Sequence, residues 1–217
     1  MLSAWIFAAA TVTGLGDRPA ALLGADGPDG YLAKLEQKLN TPGLSTLIST
    51  AIPDCTSFTY STPDYMELRN EDVGPPDVFY ATTAVKPAIV EHVLVSGCGK
   101  SLRLNLAAVR LLSAPDDLKF TFQFAGESQA NLVLQRDAYG YVTMAAAAAR
   151  TLAGDTTPCE MSLMIYDTKV IVPVKGTAPW KEVWYTARCG YKARIAVDFI
   201  PDATGTRIGA TALKDGE

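Results

Sequence analysis

Two stretches decide how this chain reads: Pro87-Ala-Ile-Val-Glu-His-Val-Leu-Val-Ser-Gly-Cys-Gly99 and Ala178-Pro-Trp-Lys-Glu-Val-Trp-Tyr-Thr-Ala-Arg-Cys-Gly190. Laid on each other, both end in Cys-Gly, with Glu91 on Glu182, Ile89 on Trp180 and Val93 on Trp184. After each Cys-Gly comes an alternating segment, Leu102-Arg-Leu-Asn-Leu in one and Ala193-Arg-Ile-Ala-Val in the other. That period of two is the mark of a strand with one covered face and one wet face. A breaker cluster follows in each copy, Ala114-Pro-Asp-Asp and Pro201-Asp-Ala-Thr-Gly, and then a last strand-like run.

Upstream the likeness is looser but keeps its order. Residues 31–51 place Leu32, Leu35 and Leu39 at helix spacing, with Pro42 interrupting, and lead to Cys55 in Ile-Pro-Asp-Cys. Residues 128–152 form a second helical stretch and lead to Cys159 in Thr-Thr-Pro-Cys. The pattern predicts an α+β fold of two tandem repeats, each a helix packed on an antiparallel meander sheet of about four strands with one disulfide. The expected divisions are a signal-like or disordered N-terminal segment at 1–26, a first repeat at 27–125 and a second at 126–217. The run Ala145 to Ala149 has no bulky side chains, so this helix is expected to approach its neighbours closely. In outline the arrangement resembles tandem helix-plus-four-strand proteins such as the secreted β-lactamase-inhibitory proteins, which also carry a disulfide in each half. The resemblance is one of architecture only, and no residue motif of that family is matched.

The four cysteines, Cys55, Cys98, Cys159 and Cys189, include no C-x-x-C pair, which argues against zinc knuckles and thioredoxin-type redox chemistry. An even number of widely spaced cysteines is the pattern of structural disulfides. Equivalent cysteines in two similar folds should close equivalent loops, giving Cys55 with Cys98 and Cys159 with Cys189; bridging across the copies is the alternative. Residues 2–10 (LSAWIFAAA) form an apolar run about half as long as the ~20 residues a spanning helix needs, so no membrane span is expected. The run reads as a signal peptide without its basic n-region, with a buried N-terminal segment as the alternative. Together these features predict a periplasmic or secreted protein.

Composition narrows the function further. The chain has 217 residues, 48% apolar and 19% charged, with a net charge of −4. This is enough apolar content for a real core and rules out a disordered polymer, a coiled coil and a collagen. Without a Lys/Arg cluster, nucleic acid is an unfavourable partner. Ser96-Gly-Cys-Gly-Lys-Ser101 mimics a phosphate-binding loop, but Leu94 stands where its first glycine belongs and a strand pattern follows, so no nucleotide is expected.

His92 is the only histidine, so two-histidine metal sites cannot exist in one chain, and no metal or other cofactor is expected. Its counterpart in the other copy is Val183, which points to a structural role. Carboxylate pairs for acid-base work could come from Asp116 with Asp117, Glu71 with Asp72 or Asp54 with Asp64, though none has a spacing that demands catalysis. No G-x-S-x-G, S-x-x-K, H-E-x-x-H or EF-hand loop occurs.

Residues 61–76 (STPDYMELRNEDVGPP) break the symmetry, lengthening the Cys-to-Cys interval of the first copy. Read as a loop, they offer Tyr65, Met66 and Leu68 as contact residues. Trp180 and Trp184 are a second pair of candidate contacts, placed either on an outer sheet face or in the core. The expected function is an exported, non-catalytic binding or inhibitory module acting through another protein. The alternatives are a histidine-independent hydrolase with a carboxylate site between the repeats and a structural envelope protein.

Overall fold

A computed structural model describes residues 12–13, 18–68, 84–111 and 113–214. The chain forms two compact units, Met1–Gln123 and Phe124–Glu217. In the first, a two-residue β1 (Val12–Thr13) lies parallel to β2 (Thr59–Glu67), and β2, β3 (Ala84–Gly97), β4 (Lys100–Leu111) and β5 (Ala114–Phe122) form an antiparallel meander. Helices α1 (Ala20–Leu23), α2 (Gly27–Leu39) and α3 (Pro42–Ala51) precede β2. In the second, α4 (Leu132–Leu152) precedes the meander β6 (Met164–Val172), β7 (Trp180–Arg188), β8 (Tyr191–Asp202) and β9 (Gly205–Ala212).

The register repeats with the sequence. Glu91 pairs with Leu106 and Glu182 with Val197; Ile89 pairs with Ala108 and Trp180 with Phe199. Ile89, Glu91, Val93 and Val95 form a buried inward row on β3, matched by Trp180, Glu182, Trp184 and Thr186 on β7. Each pair of central strands is joined by a two-residue turn, Cys98-Gly99 and Cys189-Gly190, with positive φ at all four residues. This is the backbone of a type I′ turn, whose twist matches that of the flanking strands. It also aims each cysteine at its partner, and Cys55–Cys98 and Cys159–Cys189 are both bonded. The copies diverge at the last hairpin. Leu111 pairs with Ala114 but Arg110 with Leu118, so Pro115, Asp116 and Asp117 bulge from β5.

Several expectations are corrected. The helical stretch of the first copy is not one helix: Pro42 opens α3, and Asn40 and Thr41 separate it from α2. The stretch starting at Ser128 becomes helical only at Leu132, because Asn131 caps the helix and the N–H groups of Gln129 and Ala130 are committed to Glu182. Residues 18–26, expected in a signal-like or disordered segment, are ordered parts of the first unit: Arg18 and Leu22 are buried, and Arg110 donates to the carbonyls of Leu22 and Leu23. Much of the presumed loop 61–76 is the strand β2, while residues 69–76, including the pair Glu71 and Asp72, lie outside the described residues, as do residues 2–10.

The second core shows how one face is shared. Helix α4 covers β8 and β9 with Ala138, Val142 and Ala146, over Ile195, Val197 and Phe199. The other half is covered by the strap that leads into the helix, residues 124–131. Phe124 stacks with Tyr139 and meets Trp184 edge-on, and Trp184 lies beside Phe199.

Candidate functional site

The two equivalent glutamates are the first candidates, being fully buried acids. In the first unit, Arg18 donates from Nε to Glu91 Oε2 at 3.1 Å and from Nη2 to Oε1, and the Tyr31 hydroxyl donates to Oε2 at 2.7 Å. Arg18 also reaches the carbonyl of Thr62 at 3.0 Å and lies 4.9 Å from the centre of the Tyr65 ring. Burial, with Glu91 alongside, pushes the Tyr31 phenol far above its ordinary pKa, so Tyr31 stays a donor.

In the second unit no cation meets Glu182 among the described residues. Its Oε1 accepts the backbone N–H of Gln129 at 2.8 Å and of Ala130 at 3.2 Å, and the Trp180 indole at 3.3 Å; Oε2 accepts the Trp184 indole at 2.8 Å. Four donors inside the unit fill the carboxylate, so it clamps the strap rather than facing a substrate. Thr168 does the same one strand over: its hydroxyl donates to Ala125 and accepts from the Ser128 N–H, and its carbonyl accepts from Glu127.

The lone histidine lies on the opposite face of the first sheet. His92 Nδ1 lies against both Asp64 Oδ1 and Arg103 Nη2, donating to the first or accepting from the second according to tautomer, and Arg103 Nη2 lies 3.6 Å from Asp64. Asp64 and His92 are directly paired across β2 and β3. Burial lowers the imidazole pKa, against the opposing pull of Asp64. The cluster is a cross-strand ion contact on a wet face, and Asp54 takes no part in it. Asp116 and Asp117 sit in the β5 bulge, where Asp117 contacts Lys119 at 3.4 Å.

The contact residues chosen from the sequence divide by burial. Trp180 and Trp184 fill the second core, Trp180 stacked on Phe199 at 4.7 Å, and Leu68 is buried as well. Of the two placements open to Trp180 and Trp184 the core is the one found, and Leu68 is corrected from a loop contact to a buried side chain, because bulky apolar groups gain most by leaving water. Tyr65 is half-buried beside Arg18, and Met66 alone of the five is exposed, at 45%.

Two features were not read from the sequence. The first is on the edge strand β6, where Ile171, Val172 and the following Val174 are exposed large apolar groups. The second is a cavity of about 300 Å³ between the C-terminal half of α4 and the turn at Cys189. Arg150 and Asp155 form a bidentate pair at 2.8 and 3.0 Å on its rim, which holds the Asp155 carboxyl well below the usual carboxylate range. Arg188 also lines it, with Nε on the carbonyl of Met161 and Nη2 on that of Cys159. Among the described residues, no group of three or more His, Cys, Asp or Glu is placed to hold a metal ion, and no helix is long and apolar enough to cross a membrane.

Compared with protein-family models, curated proteins and solved structures, the chain matches none.

Proposed function

We propose that this protein is a non-catalytic binding module that works through protein-protein contact outside the reducing cytoplasm. The observation that carries the reading is the edge of the second sheet. β6 ends in Lys169-Val170-Ile171-Val172 and runs on into Pro173-Val174-Lys175, with Ile171 and Val172 exposed by 56% and 45%. A strand edge carries a row of backbone donors and acceptors, and an apolar edge is costly to leave in water. The strap meets this edge at Thr168, and its Gln129 side chain accepts the Val174 N–H at 2.8 Å; between these two points β6 pairs only with β7 among the described residues.

The bulges beside Tyr166 and Ile171, and Pro173, discourage two copies from zipping together. A partner's extended segment with small apolar side chains, flanked by acids to meet Lys169 and Lys175, fits this edge by strand addition. The two bonded cystines support an oxidising compartment, periplasmic or extracellular.

Photo-crosslinking tests this in the native host. A crosslinking residue in place of Ile171 should capture one partner, the same residue in place of the exposed Arg207 should not, and adding Val172→Asp should abolish capture. Adducts consisting only of a second copy of this chain would favour the structural envelope reading instead. Identical adducts from positions 171 and 207 would sink the proposal.

A further inference from the structure

The cavity at the C-terminal half of α4 has a physical origin in the sequence. Ala145 to Ala149 end at Cβ, so the helix passes over the tip of the β7-β8 hairpin without filling the space beneath it. The loop after α4 closes the cavity and is tied down by Cys159–Cys189 and by the two carbonyl contacts of Arg188. The walls combine apolar groups, Ala146, Ala147 and Leu163, with the hydroxyl-bearing residues Thr186 and Tyr191.

The charge balance of the cavity is uneven. Arg150 and Asp155 satisfy each other at 2.8 Å. Arg188 meets no carboxylate within ion-pair distance among the described residues, and its two backbone contacts use two of a guanidinium's five N–H donors. A fixed, charged fork beside an apolar wall is the recognition chemistry of a carboxylate on a small hydrocarbon body, and the volume lies at the low end for ligand pockets.

We propose that this cavity is a binding site for a small organic carboxylate, its charged end on Arg188 and its hydrocarbon body against Ala146, Ala147 and Leu163. The site is separate from the edge of β6 and stands or falls independently of the protein-binding reading.

The test is an NMR titration of the full oxidised chain with sodium hexanoate and, in parallel, hexanamide. Hexanoate should shift the amide signals of Thr186, Arg188 and Tyr191 saturably and bind at least about tenfold more tightly than the amide, the worth of one charge-assisted contact. Arg188→Gln should reduce hexanoate to the level of hexanamide. Because that change also removes contacts to Met161 and Cys159, Ala147→Phe, which blocks the cavity from the helix side, provides the second arm and should abolish both shifts. Equal affinity for acid and amide, shifts scattered outside the cavity, no saturable binding, or unchanged binding in Ala147→Phe would each overturn the proposal. So would binding of a peptide with a free C-terminal carboxylate at this site where hexanoate fails, since the occupant would then be a protein end.

Discussion

Glu91 and Glu182 show one residue solving one problem with two sets of partners. Both must bring a pre-helical segment down onto the sheet, and a buried carboxylate does this only if its acceptors are filled. Glu91 takes a guanidinium and a phenol, while Glu182 takes two backbone amides and two indoles. In Glu182→Gln an NH2 group would face N–H donors, and the second unit should lose about 2–4 kcal/mol, read from urea denaturation followed by tryptophan fluorescence. His92 makes a separate prediction. Its folded pKa is lowered by burial, so the unfolded chain binds the proton more readily and stability falls as pH drops through about 6.5. Melting temperature should decline between about pH 7 and pH 5, and His92→Asn should flatten that part of the profile. Asp26, Asp155 and Asp202, whose carboxyls lie below their ordinary range because of Lys34, Arg150 and Thr204, lose their contribution only as pH falls below about 4.

Elements here are set as much by their ends as by their interiors. The strap before α4 depends on Gly126, whose φ is +96° and where an added Cβ would come within 2.2 Å of the Thr168 backbone nitrogen. Gly126→Ala should therefore cost about 3 kcal/mol or more. Gly140, inside α4 with nothing within 4 Å of an added Cβ, should behave oppositely, and Gly140→Ala should gain about 0.5–1 kcal/mol. Chemical denaturation of the pair decides this, and similar effects at both positions would refute the assigned role of the strap. The α4 alanines carry a different lesson. Small side chains suggest close packing, yet only Ala146 of the run is buried, and the space beneath Ala146 and Ala147 becomes the cavity.

For the molecule as a whole, each unit is clasped by its own cystine, closing loops of 43 and 30 residues. Loop-closure entropy assigns these about 4 and about 3.6 kcal/mol. Replacing Cys55 and Cys98 by serine should therefore cost slightly more than replacing Cys159 and Cys189. Each loss should fall on its own unit's unfolding transition, measured by calorimetry of the two double variants. A loss shared equally between both transitions would contradict the picture of two separately clasped units.

The sequence by itself determined the repeated α+β plan and the breaker turns, and it favoured the cystine pairing within each copy while leaving bridges across the copies open; the structure shows Cys55–Cys98 and Cys159–Cys189. These readings rest on a side-chain period of two, breaker clusters between the strands, and equivalent cysteines closing equivalent loops, whereas the positive φ of both Cys-Gly turns came from the structure. Even Glu91 on Glu182 was visible in the alignment, though not its purpose, because its donors come from up to 73 residues away. Tertiary structure alone decided that Trp180, Trp184 and Leu68 are core, that Arg18 and Leu22 belong to the first unit, and that residues 128–131 form a strap instead of a first helical turn. It also placed the apolar edge of β6 and the Arg188 cavity. In each case the outcome depends on which distant surface claims a side chain or an N–H group, a competition that periodicity along the chain does not record.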